Sequence, residues 1–69
     1  MTIKYEVQIR ASKAGSIGEK YYIARSYTVE TEFTDWEQAR DDLNTKAIKR
    51  AYDEGLEHVL VTHYAKLGG

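Results

Sequence analysis

The chain has 69 residues, 10 of them basic and 11 acidic, with two histidines, no cysteine and a net charge of −1. That length is under half of a typical domain and excludes a second globular unit, since neither half would bury enough apolar surface, so residues 1–69 read as a single domain. Without cysteine there is no disulfide framework and no thiolate metal cage, and a charge near zero argues against the strongly basic class of nucleic-acid binders.

The missing thiols fit a reducing compartment. Met1 to Glu6 alternates polar and apolar residues instead of opening on a basic start and an apolar run, so no signal peptide is expected. No stretch is long and apolar enough to span a membrane, and the expected location is cytoplasmic.

Ile3, Tyr5, Val7 and Ile9 alternate with Lys4, Glu6, Gln8 and Arg10, the period-two pattern of a half-buried strand. Ala11 to Glu19 has two glycines, two serines and no periodicity, and reads as a flexible connection. From Lys20 to Phe33 the chain is rich in tyrosine and β-branched residues. Tyr21, Ile23, Tyr27, Val29 and Phe33 fall on one face, Glu30 and Glu32 on the other, and Arg25 interrupts the apolar face by pointing inward.

Thr34-Asp35-Trp36-Glu37 matches a capping box with Thr34 as the cap. The helix it opens carries Trp36, Ala39, Leu43, Ala47 and Ala51 as its apolar stripe, with Ile48 and Tyr52 beside it, and Gly55 as its stop. Asp35, Glu37, Asp41 and Asp42 precede Lys46, Lys49 and Arg50. This order suits the helix dipole and offers i,i+4 pairs such as Asp42–Lys46. Glu57 to Tyr64 is short and β-branched and reads as a third strand with apolar residues on both faces, which is compatible with a homodimer.

The expected class is therefore α+β: ββαβ, a three-stranded antiparallel sheet in order 2-1-3 with one long helix on one face. One sheet face and two edges are left as docking places.

Chemistry-bearing motifs are sparse. His58 and His63 are five apart in a strand, so they point to opposite faces and do not chelate one ion together. No nucleophile elbow or phosphate-cradling loop is present, and carboxylates without a concave, partly dry site do not make an acid–base pair. The reading is a non-catalytic protein with no cofactor and no metal.

Charge is uneven along the chain. Residues 26–45 hold one basic and six acidic groups, net −5, between flanks of +3 and +1. Glu30, Glu32, Asp35, Glu37, Asp41 and Asp42 are the candidate protein-partner surface, through electrostatic complementarity to a basic groove, with helix stabilisation as the plain alternative. They join into one patch only if the second strand lies at an edge. Lys13, Lys20, Tyr22 and Arg25 are the alternative, a nucleic-acid-binding set that combines aromatic planes with positive charge.

Tyr5-Glu6-Val7 in the first strand, the glycine loop, the alanine-striped helix ending at Gly55 and the last strand with Val59-Leu60-Val61 resemble, in order and size, small phage-encoded inhibitors such as anti-CRISPR proteins. That resemblance implies an acidic single domain blocking a nucleic-acid-binding surface of a bacterial defence complex. The two strands and the helix start Thr34-Asp35-Trp36-Glu37-Gln38-Ala39 also resemble the arm-binding domain of phage integrases, which implies strands in a DNA groove. Gly68-Gly69 resembles the diglycine tail of ubiquitin-like carriers on those two residues alone, and reads as a frayed glycine tail.

Overall fold

The computed structural model of the chain describes residues 1–15 and 22–68. Its elements are β1 (Ile3–Lys13), β2 (Ile23–Thr31), α1 (Trp36–Asp53) and β3 (Leu56–Gly68). The sheet has the expected order β2-β1-β3, with both pairings antiparallel and β1 in the centre. Among the described residues, no helix is long and apolar enough to cross a membrane.

Period-two alternation makes β1 the floor of the core. Val7, Ile9 and Ala11 are buried on one face, where Tyr27 and Val29 from β2 join them. Ala39, Leu43, Ala47 and Ala51 of α1 close this layer from above. Small side chains on the helix let its backbone approach the sheet, so the larger strand residues fill the space.

Several element boundaries differ from expectation. Ala11, Ser12 and Lys13 extend β1 instead of opening the loop, because they pair with Ile23, Glu57 and Leu56 across both neighbours. β2 stops at Thr31, which is buried at 1% exposure. Phe33 lies beyond the strand, half-exposed, and takes no place in the core. Tyr21, also assigned to the core face, lies outside the described residues.

The helix cap is Asp35 rather than Thr34. The Gln38 amide donates to its carboxylate at 3.4 Å, a cap that Asp supplies as well as Thr. At the other end the Gly55 amide donates to the Tyr52 carbonyl at 3.0 Å. Gly55 holds φ +82°, a left-handed turn that glycine adopts at little cost.

β3 runs to Gly68, which pairs with Lys4, so Gly68 is the end of a strand and not part of a frayed tail. Its register with β1 shifts at three places, and His58 next to one of them takes φ +54°. Val59, Val61 and Tyr64 pack on the core, while Leu60 and Leu67 are exposed.

Candidate partner-binding surface

The position of α1 over the sheet decides which charges meet. Asp42, Lys46 and Arg50 of α1 and Glu54 at its C-terminal cap, spaced four apart, form a stripe that runs antiparallel along β2. Asp42 accepts a hydrogen bond from the Thr31 hydroxyl. Lys46 Nζ donates to the Glu30 carbonyl at 2.8 Å. Arg50 Nη1 donates to the Thr28 carbonyl at 2.8 Å, with its guanidinium 4.8 Å from the Tyr27 ring centre. Glu54 accepts from the Tyr27 hydroxyl at 2.8 Å.

On the opposite flank Trp36 fixes the helix to β1 and β3. Its ring lies 5.8 Å from that of Tyr5 and meets Tyr64 edge-on at 5.2 Å, and the Tyr64 hydroxyl donates to the Asn44 side-chain carbonyl. Aromatic geometry of this kind adds about 0.5–1.5 kcal/mol per pair beyond area burial.

Since β2 is an edge strand, the condition for a continuous acidic patch is met in part. Glu30, Glu32, Asp42 and Phe33 line a hollow of about 320 Å³ that also contains Lys46. Phe33, Asp41 and Asp42 line an adjoining one with Gln38 and Thr45. Phe33 and Asp42 belong to both, so the two hollows meet at an aromatic side chain that is 44% exposed. Asp35 and Glu37 line neither hollow.

The six acids divide by their partners. Asp35 is the helix cap. Asp42 binds Thr31 and Lys46, its carboxylate 2.9 Å from the ammonium, and these contacts, Thr31 foremost, hold its pKa below the usual carboxylate value. Glu30 forms a loose surface pair with Lys4 at 4.0 Å, of a kind worth at most about 1 kcal/mol. Glu32, Glu37 and Asp41 are exposed, and no described residue forms an ion pair with them.

Lys13 and Tyr22 are both exposed at the far end of the β1–β2 pair, and Lys20 lies outside the described residues. Arg25 faces the helix side as expected but stays exposed, because its guanidinium turns to the Ala24 carbonyl at 3.0 Å and to Glu54 at 4.0 Å. Lys13 and Tyr22 are thus at the opposite end of β2 from Glu30 and Glu32. Among the described residues, no three His, Asp or Glu side chains converge where a metal ion could be held.

Phe33 and Thr31 were missed as site residues by sequence reasoning. Their signal was the phase of β2: one more alternation put Phe33 in the core, whereas the chain leaves the sheet at Thr31.

No protein-family model, curated protein or solved structure matches the chain.

Proposed function

We propose that the protein is a small non-catalytic binding module whose exposed Phe33 and acidic hollows dock on a basic surface of another protein. The observation that carries this reading is the exposed Phe33 at the meeting of two hollows whose linings include Glu30, Glu32, Asp41 and Asp42. Such a surface supplies an apolar anchor and a charged rim, the division of labour found in protein interfaces. The rim steers encounter, and the anchor governs residence.

The likeness in element order and size to small phage-encoded inhibitors such as anti-CRISPR proteins supports a narrower form. In it, the basic surface is one that a bacterial defence complex uses to hold nucleic acid, and the carboxylates stand where phosphates would.

Affinity capture from the source cell, followed by mass identification, tests the reading when run in parallel with a triple variant. Charge reversal of Glu32, Glu37 and Asp41 leaves the cap and the Asp42 contacts untouched, so folding is retained while capture falls; Phe33→Ser lowers it further by speeding dissociation. Capture unaffected by both variants removes this surface as the interface.

The exposed Lys13 and Tyr22 favour a second reading, nucleic-acid binding at the opposite end of the sheet. It requires a salt-dependent shift of labelled DNA or RNA that is lost in Lys13→Ala/Tyr22→Ala. No shift at low salt removes it.

A further inference from the structure

A three-stranded sheet has two edges, and each presents backbone groups to which another strand can add. In β3 the ladder is interrupted: its register shifts three times, and His58 turns left-handed. Bulges of this kind twist an edge away from a partner. β2 carries no such defect, since it stays in unbroken register with β1 from Ile3↔Thr31 to Ala11↔Ile23. Its nine residues form the regular edge of the molecule.

In an antiparallel ladder, alternate residues turn both backbone groups to the same side. The carbonyls of Thr28 and Glu30 receive helix side chains, so Ala24, Ser26, Thr28 and Glu30 face outward from β2. Three of these four carbonyls already accept a cationic donor: Ala24 from Arg25 at 3.0 Å, Thr28 from Arg50 at 2.8 Å and Glu30 from Lys46 at 2.8 Å.

The helix geometry makes this possible. Four helical residues advance about 6 Å, close to the roughly 6.8 Å between Thr28 and Glu30 along the strand. Both helix cations are also held in place, Lys46 by Asp42 at 2.9 Å and Arg50 by the Tyr27 ring at 4.8 Å.

We propose that Lys46 and Arg50 guard the β2 edge. With them in place the edge is closed to another strand; without them it pairs antiparallel with β2 of a second copy of this chain. An incoming strand would lie about 4.8 Å away, in the space the two cations occupy, and would need the carbonyls they hold. A second copy is the occupant because an antiparallel edge is its own complement: a two-fold axis sets donors against acceptors on both chains. The remaining surfaces for partners are then faces and not edges, independently of which protein the acidic surface meets.

Light scattering after size exclusion tests this on the wild type, Lys46→Ala/Arg50→Ala, and the same pair with Ser26→Pro added. The wild type is expected to elute as a monomer and the double variant with twice the mass. The amides of Ala24, Ser26, Thr28 and Glu30 should gain hydrogen-exchange protection in that dimer. Proline at position 26 removes a central outward N–H, which an edge strand tolerates, and should restore the monomer.

A folded double variant that stays monomeric overturns the proposal, as does a dimer that survives Ser26→Pro or a wild type already paired through β2. If the double variant loses its near-ultraviolet Trp36 signal, the single variants carry the same test, each opening half of the edge.

Discussion

The hydroxyl of Tyr27, in the middle of β2, donates to the carboxylate of Glu54, the residue that caps the C-terminus of α1. Burial, then this acceptor and its charge, push the phenol up to about 12 from its ordinary 10.0. The folded state therefore holds the proton more tightly than the unfolded chain does. The associated stability is complete below pH 10 and is lost as pH rises toward about 12, at up to about 1.4 kcal/mol per pH unit. Urea titrations of Tyr27→Phe should show a loss of about 1 kcal/mol near neutrality and a shallower alkaline decline than the wild type.

Asp42 has the opposite sign. Its pKa is lowered from 3.8 first by the Thr31 hydroxyl and then by Lys46. Its contribution is present above the unfolded value and is lost as pH falls below it toward the folded one. Carboxyl NMR titration should find the Asp42 pKa moving up toward 3.8 in Thr31→Val, and by less in Lys46→Met. Asp42→Asn should cost about 1 kcal/mol at neutral pH and flatten the acid limb of the stability curve.

Two left-handed residues lie near the start of β3, Gly55 in the turn from α1 and His58 beside a register shift within the strand. Gly55 at φ +82° has no neighbour that a methyl group would strike, so Gly55→Ala is expected to cost only the backbone term, about 1–2 kcal/mol. His58 at φ +54° carries that cost already. His58→Gly should raise stability by about 0.5 kcal/mol after the added unfolded-state entropy is counted. Thermal unfolding of the two variants should shift in opposite directions.

Trp36 is the only tryptophan and reports on its own packing. With two aromatic contacts but a half-exposed surface, Trp36→Ala should cost about 2 kcal/mol. Tyr64→Leu should leave the fold intact while altering the fluorescence of Trp36, since it replaces the ring that meets the indole edge-on.

The first strand, the helix and most of its buried stripe were legible in the sequence because they rest on periodicity, two for Ile3 to Ile9, three and four for Ala39, Leu43, Ala47 and Ala51; the strand order followed from the handedness of the connection through the helix. The Asp42–Lys46 pair was legible from its spacing, being local to one helix. The ends of elements were not. Thr34 and Asp35 are both good caps, and only the geometry of the turn chooses between them. Phe33 continues the alternation of β2 on paper, yet the β1–β2 ladder ends at the Ile3–Thr31 pair and Phe33 lies beyond it.

What the sequence determined by itself is the α+β class, the ββαβ order and an acidic segment at residues 30–42, since these follow from local pattern and composition. The tertiary structure alone decided that Asp42 would share both hollows with Phe33 and that Lys46 and Arg50 would reach the β2 carbonyls. Those relationships join residues 9 to 22 positions apart, and they depend on where the helix axis settles over the sheet. The shared core cluster in which Leu43, Ala47 and Ala51 meet the strand residues sets that position, and no periodicity along the chain encodes it.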